Sequence, residues 1–325
     1  MRYKPLLGVV GLLLAIAMLP VAVIAFDAPS PPPPMATTRA AARPVDVGER
    51  PAPRQFQARD GANLQYYAYP ADPEKVAVLI HGSAGPGSSM HALAESLRAA
   101  GVTVYVPDVR GHGGSGPRGD IGYIGQLDDD LADFVAQLGP ARSGEARTLI
   151  GFSAGAGFTL RFAGGPYGPL FDRYVLLAPI LPGAPTLRPN AGGWVSVALR
   201  RWTTIDSLDR LGFHWFDGLP VISYAITPAM SQWMTGSYSY RLATNFGAGP
   251  RYQSYLKNLQ RPAAILVGTA DEQVVADQFA PLLERLGVNI PVTVLPNMKH
   301  VDMISNSEAF QAIDGAVASQ KQAAQ

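Results

Sequence analysis

Short apolar runs and amphipathic stretches alternate along the chain from about residue 55 onwards. The apolar runs predict buried strands and the amphipathic stretches predict helices, which together indicate an α/β fold with a mostly parallel sheet flanked by helices. The predicted buried strands are KVAVLI (75–80), VTVYVPDV (102–109), RTLIGF (147–152), RYVLLAPI (173–180), AAILVG (263–268) and PVTVLP (291–296). The predicted helices cover residues 88–100, 122–138, 154–163, 277–286 and 306–319.

The segment just before these elements has a different pattern. QFQARDGANLQYYAYP (55–70) alternates apolar and polar residues on both sides of Asp60-Gly61. Alternation of this kind around an Asp-Gly turn predicts two edge strands. No internal repeat is present, so the segments from 55 to 320 are expected to form one domain.

An uncharged run of 22 residues extends from Pro5 to Phe26, after two basic residues. As a helix rising about 1.5 Å per residue, it would just cross a hydrocarbon core of about 30 Å. The run also fits a signal peptide, because Val23 and Ala25 are small enough for cleavage after Ala25. Both interpretations of residues 1–27 predict an exported protein, which is either anchored in the membrane through this segment or secreted.

Residues 28–54 are rich in proline and alanine and have no apolar period. A stretch of this composition cannot bury enough surface to offset the entropy that it would lose on ordering. We therefore expect an extended, polyproline-like tether between the N-terminal segment and the domain.

Composition and charge exclude several classes of protein. The 325 residues, 47% hydrophobic and 16% charged, suffice for one large α/β domain or two small ones. The 26 basic and 25 acidic residues give a formal net charge of +1 without a basic stripe, which argues against nucleic acid as a partner. The absence of cysteine excludes disulfides, thiolate metal sites and a cysteine nucleophile.

One serine occurs where a nucleophile would be expected. The pentapeptide Gly151-Phe152-Ser153-Ala154-Gly155 ends a predicted buried strand and begins a predicted helix. A sharp turn at such a junction presents the serine hydroxyl above the carboxyl ends of the strands and requires small flanking residues. Because Gly-x-Ser-x-Gly also occurs by chance, the hypothesis of a nucleophile depends on a base and an acid elsewhere.

A base and an acid do follow in the chain. Asp271 comes just after the predicted strand 263–268, and His300 comes after the last predicted strand. The order Ser153, Asp271, His300, each at the carboxyl end of its own strand, is that of a nucleophile-elbow hydrolase. Glu272 and Asp302 are nearby acids that could replace Asp271 as the group that orients the histidine.

An acyl-transfer site also needs two backbone N–H groups that bind the oxyanion. The residue after the nucleophile, Ala154, is the first candidate. The second is Ser83 in LIHGSAGPG (79–87), where glycines allow the backbone to approach a substrate closely. The loop lacks both Gly-x-Gly-x-x-Gly and a P-loop Lys-Ser/Thr, so a phosphate cradle is not predicted.

Other polar residues have structural interpretations. We expect His112 and His81 to shape their loops more than to transfer protons. Asp128, Asp129 and Asp130 are neighbours in a predicted helix and point in different directions, so they cannot converge on one ion. We predict no metal and no cofactor.

Residues 55–320 resemble the α/β-hydrolase superfamily. The stretch HGSAGPGSSMHALAESLRAAGVTVYVPDVRGHGGSGPRGD (81–120), with Asp-x-Arg-Gly-His-Gly-x-Ser at 108–115 and the later GFSAG, is similar to the lysophospholipase and monoacylglycerol lipase-like group, which includes serine aminopeptidase S33-type domains. The resemblance implies the α/β-hydrolase fold, hydrolysis of esters or amides without a cofactor, and a triad of Ser153, Asp271 and His300. It does not extend to the N-terminal segment or to residues 181–260.

Residues 181–260, between two predicted strands, are expected to form a cap insertion. They contain all four tryptophans and 12 of the 29 aromatic residues, which suits a hydrophobic acyl or aryl group but also suits a small core within the cap. Seven basic residues against three acidic ones (Asp206, Asp209 and Asp217) disfavour a bound α-ammonium group. We therefore predict a small acyl ester or a lipid as substrate. An aminopeptidase or amidase with the same triad and a non-catalytic binding protein of this fold are the alternatives.

Overall fold

The computed structural model describes residues 18–35 and 49–319, and its main body is an eight-stranded sheet with helices packed against it. The strands of this sheet are β1 (Arg54–Gln57), β2 (Asn63–Tyr69), β3 (Lys75–Ile80), β4 (Thr103–Pro107), β5 (Ala146–Phe152), β6 (Arg173–Leu177), β10 (Ala263–Gly268) and β11 (Val292–Leu295). A second sheet of three strands contains β7 (Val195–Val197), β8 (Pro220–Tyr224) and β9 (Ser237–Ser239).

The large sheet has the spatial order β1-β2-β4-β3-β5-β6-β10-β11. The pairs β1–β2 and β2–β4 are antiparallel, and all the other pairs are parallel. In the middle of the sheet, Gly151 lies opposite Ile80 on one side and Leu176 on the other. The carboxyl ends of the parallel strands therefore meet at one edge, where ligands bind in open α/β sheets.

The helices connect the strands in the alternating order that the sequence predicts. They are α1 (His91–Ala99), α2 (Gln126–Gln137), α3 (Ala154–Ala163), α4 (Leu199–Arg210), α5 (Tyr240–Asn245), α6 (Tyr252–Lys257), α7 (Phe279–Leu286) and α8 (Ser307–Ser319), with a one-turn segment at Asn190–Gly193. Single 3₁₀ turns lie at Gly87–Met90, Gly168–Leu170, Met230–Gln232, Ala276–Gln278 and Val301–Ile304.

Two predictions about the strands differ from the structure. β11 was expected to be buried, yet it forms the end of the sheet, and Val294 is 45% exposed, because only β10 pairs with it. β2 was expected to be an edge strand, but it pairs with both β1 and β4, so only β1 is the edge on that side. Apolar content alone does not distinguish an edge strand from an inner one, because the number of neighbours is set by the whole sheet.

The segment between β6 and β10 contains the second sheet and the helices α4, α5 and α6. Its inner aromatic side chains, Trp194, Tyr224, Tyr238 and Phe246, belong to the same continuous core as the large sheet. A smaller core lies farther out, around Ile205, Val221 and Tyr240. The predicted cap thus has its own small core and also packs directly on the main domain.

The N-terminal segment contacts this small outer core. Residues 18–26 are helical, and Ile24 packs against the outer core with only 3% exposure. The Ile24 carbonyl accepts a hydrogen bond from Nε of Arg201 at 2.7 Å, and the Asp27 carboxylate accepts one from the backbone N–H of Arg201 at 2.9 Å. Within residues 18–35 and 49–319, no helix has both the length and the apolar character to cross a membrane. Most of the uncharged run, residues 5–17, lies outside the described residues.

The described part of the expected tether also touches the domain. The Ser223 hydroxyl donates to the Pro29 carbonyl at 3.3 Å, and Met35 packs against the main core. Residues 28–35 have no regular secondary structure, and they contact the cap through the Pro29 carbonyl and the main core through Met35, so this part of the chain is not the free tether that we expected. Residues 36–48 of the expected tether lie outside the described residues.

A buried ion pair fixes the loop after β4 to helix α2, and it gives a test of the fold. Arg110 donates two hydrogen bonds to Asp130, at 2.7 and 2.8 Å, and both side chains are only 9% exposed. Asp130→Asn should lower the free energy of unfolding by about 3 kcal/mol, because it removes the buried counter-ion of Arg110 and leaves only Asp60, which is 37% exposed. In the same helix, Asp133→Asn should cost about 1 kcal/mol or less, since its partner Arg59 is 44% exposed. Urea unfolding monitored by circular dichroism measures both, and equal losses would contradict this assignment.

Candidate active site

Ser153 lies at the sharp turn between β5 and α3. Its backbone angles, φ 57° and ψ −121°, are unfavourable for a residue that carries a side chain. The Ser153 N–H donates to the Leu177 carbonyl at 2.8 Å, and the Ser153 carbonyl accepts from the N–H of Ile180 at 3.2 Å. These bonds to the end of β6 hold the turn and keep the hydroxyl at the carboxyl edge of the sheet.

Glycines allow the chain to close around Ser153. A Cβ at Gly151 would collide with the Gly155 carbonyl, and a Cβ at Gly155 would collide with the His81 carbonyl. A Cβ at Gly82 would lie only 3.2 Å from the Cβ of Ser153. The glycines on both sides of the serine thus have a packing reason, and Gly82 brings the loop after β3 directly against it.

The structure brings the three predicted side chains together. The His300 Nε2 atom lies 2.9 Å from the Ser153 Oγ atom, and the His300 Nδ1 atom lies 2.8 Å from a carboxylate oxygen of Asp271. Ser153 is 3% exposed, and His300 and Asp271 are each 2% exposed. The ring of Phe152 packs against the imidazole with 4.9 Å between ring centroids. A hydroxyl, an imidazole and a carboxylate therefore form one buried hydrogen-bonded chain.

The second oxygen of the Asp271 carboxylate accepts the backbone N–H groups of Gln273 and Val274, at 2.7 and 2.9 Å. These bonds fix the carboxylate so that its other oxygen faces the imidazole. An ionised carboxylate only accepts hydrogen bonds, so the His300 Nδ1 atom carries the proton and the Nε2 atom is free to accept the one from Ser153.

The two alternative acids bind backbone groups instead. Glu272 accepts the backbone N–H of His300 at 3.2 Å, and Asp302 accepts the backbone N–H of Lys299 at 2.8 Å. In the described part of the chain, Asp271 is the carboxylate that contacts the imidazole. Glu272 and Asp302 instead help to shape the loop that carries the histidine.

The two predicted oxyanion donors lie beside this chain. Ala154 is the first residue of α3, so its N–H has no acceptor within the helix and lies at the positive end of the helix dipole. The Ser83 N–H also donates to no protein acceptor among residues 18–35 and 49–319. Both groups are thus available to a substrate oxygen, and Gly82 keeps the Ser83 loop close to the nucleophile.

The Asp-x-Arg-Gly-His-Gly-x-Ser stretch at 108–115 organises the neighbouring loops. The Asp108 carboxylate accepts the N–H groups of Gly87 and Gly114, at 2.6 and 2.8 Å. A Cβ at Gly113, where φ is +50°, would collide with the same carboxylate. The motif thus ties the loop after β3 to the loop after β4.

The two loop histidines are buried and neutral. The His81 Nε2 atom accepts the backbone N–H of Val109 at 3.1 Å, and its Nδ1 atom donates to the Gly82 carbonyl at 2.8 Å. Burial lowers the pKa of His81 and lowers the pKa of His112 well below its ordinary value. These contacts fit the expected loop-shaping role.

The three consecutive acids have three different sets of partners. Asp128 pairs with Arg161, Asp129 with Arg59, and Asp130 with Arg110.

Sequence reasoning missed one cluster in the cap, which consists of Asp209, His214 and Asp217. The side-chain atoms of these residues that could bind a metal ion lie within 4.8 Å of one another. His214 binds both carboxylates, at 2.7 and 3.2 Å. The spacing of these three residues along the chain matches no standard metal-binding motif, so the sequence gave little indication that they would lie together.

The cap also contacts the loop that carries Asp271, which sequence reasoning missed. The Arg188 N–H donates to the Gln273 carbonyl at 3.0 Å, and the Val275 N–H donates to the Thr186 carbonyl at 2.8 Å. A Cβ at Gly192 would collide with the carbonyl of Glu272. Such contacts join segments that are far apart in the chain, so no local sequence pattern predicts them.

Comparison with known proteins defines the class. Residues 71–304 match the family described as "Serine aminopeptidase, S33", and the chain therefore belongs to this family of α/β hydrolases. The monoacylglycerol lipase of Mycolicibacterium smegmatis (strain ATCC 700084 / mc(2)155) is 34% identical over 111 residues, which are 33% of this chain and 39% of that protein. The match thus spans less than half the length of this relative.

Solved structures share the fold. The monoacylglycerol lipase of Paleococcus ferrophilus has a TM-score of 0.61 and 21% identity over 79% of this chain and 98% of its own. A soluble variant of the Saccharomyces cerevisiae monoglyceride lipase, in complex with a substrate analogue, has a TM-score of 0.61 and 15% identity over 85% and 99% of the two chains. A bacterial membrane phospholipase A has a TM-score of 0.56 and 16% identity over 99% and 100%.

The choice of acid can be tested through the reactivity of Ser153. Asp271→Asn should slow covalent labelling by a fluorophosphonate probe roughly 10³-fold or more, because an amide favours the wrong imidazole tautomer. Glu272→Gln and Asp302→Asn are matched controls that keep the Asp271 contact and should stay within about threefold of the unmodified protein. The labelling rates are measured by stopping the reaction at several times and reading the fluorescence of the protein band on a gel. A larger loss in either control than in Asp271→Asn would reassign the acid.

Proposed function

We propose that this protein is a serine hydrolase that cleaves carboxyl esters through an acyl-enzyme. The observation that carries the proposal is the buried chain Ser153–His300–Asp271 beside two N–H groups that have no acceptor in the described part of the protein. A nucleophile, a base, an orienting acid and an oxyanion site are the components that acyl transfer requires.

In the first half of the reaction, the Ser153 Oγ atom attacks the ester carbonyl while its proton moves to the His300 Nε2 atom. The carbonyl oxygen becomes an oxyanion, which accepts hydrogen bonds from the N–H groups of Ser83 and Ala154. The imidazolium then gives its proton to the leaving alcohol as the C–O bond breaks. Water repeats the sequence on the acyl-enzyme, which releases the acid and restores Ser153.

We infer that the substrate is an acyl ester that needs no site for an α-ammonium group, such as a neutral monoacylglycerol or a phosphate-bearing lysophospholipid. The three cap carboxylates already have partners: Asp206 binds Arg210 and the Tyr240 hydroxyl, and the other two bind His214. An aminopeptidase must hold a free α-ammonium group, and an unpaired buried charge is costly. The name of the family keeps an aminopeptidase or amidase as the second candidate.

We further propose that the protein is exported and remains attached to the membrane through its N-terminal segment. The uncharged run from Pro5 to Phe26 supports this proposal. The contact between Ile24 and the cap would then hold the domain near the membrane surface. A signal cleaved after Ala25 would instead give a secreted enzyme.

The triad and the substrate class can be tested together. Ser153→Ala and His300→Ala should each lower kcat for a p-nitrophenyl ester about 10³-fold or more, and the double variant should be little worse, because the triad acts as a unit. For the unmodified protein, kcat/KM for esters should exceed that for aminoacyl arylamides by at least about 100-fold, or about 3 kcal/mol. It should rise by up to about fourfold for each added acyl CH₂ until the pocket is filled.

Two outcomes would contradict these expectations separately. If the losses of kcat in the two single variants add up in the double variant, Ser153 and His300 do not act as one unit, which contradicts the triad. Faster cleavage of an alanyl or prolyl arylamide than of any ester would favour the aminopeptidase.

Location is tested by truncation. The full chain should stay with membranes after a carbonate wash, whereas a chain that starts at Val45 should be soluble and keep its esterase activity. A chain that starts at Met18 is the matched control, because it keeps the contact between Ile24 and Arg201 and should also be soluble. Recovery of the Met18 chain with membranes would show that the cap contacts, rather than residues 1–17, hold the protein there. A mature N-terminus at Phe26 would indicate a cleaved signal.

A further inference from the structure

The loop that carries the oxyanion donor Ser83 contains an unfavourable turn. Ala84 has φ +63°, a region that favours glycine, and no glycine is used there. The Gly85 N–H donates to the Ser83 carbonyl at 2.8 Å, so residues 83–85 form a γ-turn centred on Ala84. γ-Turns with a positive central φ are rare and strained, and they persist only when surrounding contacts hold them.

The contacts that hold this turn come from the cap. The Ala84 N–H donates to the Tyr238 hydroxyl at 2.7 Å, and the Ala84 carbonyl accepts the N–H of Thr235 at 2.8 Å. One residue earlier, the Ser83 hydroxyl accepts the indole N–H of Trp194 at 2.8 Å. Both backbone groups of the strained residue and the side chain before it are thus bonded to residues of the cap.

The Tyr238 hydroxyl is itself held in one orientation. The His112 Nδ1 atom lies 3.1 Å from the Val109 carbonyl, which only accepts, so Nδ1 carries the ring proton. The His112 Nε2 atom therefore accepts the proton of the Tyr238 hydroxyl, at 2.5 Å. With its proton directed to His112, the Tyr238 oxygen acts as an acceptor on its other side, where it binds the Ala84 N–H and also contacts the Tyr224 hydroxyl. Burial raises the pKa of Tyr238, which keeps this hydroxyl protonated.

We propose that Tyr238, Thr235 and Trp194 are positioning residues that complete the oxyanion site from the cap. They bind Ala84 and the Ser83 side chain, whereas the Ser83 N–H beside Ser153 has no acceptor among the residues that the structure describes. Without the Tyr238 hydroxyl, Ala84 can relax to a negative φ, and the relaxation turns the adjoining peptide groups away from the substrate oxygen. This inference rests on the proposed function, because it concerns the stabilisation of an oxyanion.

The decisive variant is Tyr238→Phe, with Tyr240→Phe as the matched control. Tyr240 is also a buried cap tyrosine with a hydrogen-bonded hydroxyl, but its partner is Asp206 at 3.0 Å, outside the oxyanion loop. Tyr238→Phe should lower kcat for a p-nitrophenyl ester by about 10- to 100-fold with KM within about threefold, since oxyanion contacts act in the transition state. Tyr240→Phe should stay within about threefold in both constants.

A transition-state analogue separates positioning from a general loss of structure. An alkyl trifluoromethyl ketone forms a hemiketal oxyanion on the serine, so its inhibition constant should rise in Tyr238→Phe by the same factor as kcat/KM falls. The non-reactive alcohol of the same chain length should inhibit both proteins equally. A loss of kcat with unchanged affinity for the ketone, or equal losses in Tyr238→Phe and Tyr240→Phe, would overturn the inference.

Trp194→Phe is a second test that does not depend on the folding of the first variant. It removes the donor to the Ser83 hydroxyl but leaves both Ala84 bonds, so kcat and ketone affinity should fall together by about 2- to 10-fold. If Tyr238→Phe lacks the near-ultraviolet circular dichroism of the folded protein, Trp194→Phe is the deciding variant. A change below twofold in its kcat and ketone affinity contradicts the inference. Failure of the proposed function looks different, because esterase activity would then persist in Ser153→Ala.

Discussion

The backbone of Ser153 is the constraint on which the site depends. A residue with a side chain is held at φ 57° and ψ −121° between β5 and α3, where the chain must turn sharply. Such a conformation costs about 1–3 kcal/mol and persists only where the surroundings fix it. Here, the bonds to Leu177 at the end of β6 and to Ile180 just after it fix this conformation. The glycines at 151 and 155 let the neighbouring chain approach closely enough to pack against it. The hydroxyl is thus held at the edge where the other loops of the site meet.

The cap holds two loops of the site in place through direct contacts. Its first residues pair with the loop after β10, where Arg188 and Gly192 lie against the loop that carries Asp271. Its later residues bind the loop after β3 through Tyr238. The aromatic enrichment of the cap, which the sequence links equally to an acyl pocket and to a core, therefore serves in part to join the cap to the catalytic domain. The rings of Trp194 and Tyr224 lie 5.5 Å apart within this connection.

The sequence predicts most of the sheet, and it singles out three residues that the structure places together, for physical reasons. Parallel strands buried on both faces produce apolar runs, and each candidate residue follows directly after such a run, so order along the chain translates into proximity in space. Position in the sheet is not local information, which is why the exposure of β11 was missed. The choice of Asp271 over Glu272 was open because it depends on the N–H groups of Gln273 and Val274, which no pattern encodes. The cap contacts at Ala84 join residues about 150 positions apart in the chain, and hydrophobic periodicity carries nothing about them.

A structure of the protein after reaction with a fluorophosphonate tests the central claim most directly. The account predicts one adduct, on the Ser153 Oγ atom, with a phosphonyl oxygen about 2.7–3.1 Å from the nitrogen atoms of both Ser83 and Ala154. Fluoride leaves in this reaction, and the His300 Nε2 atom should stay within hydrogen-bond distance of the Ser153 Oγ atom, as it is before reaction. An adduct on another residue, or a phosphonyl oxygen that lies away from both N–H groups, would contradict the account.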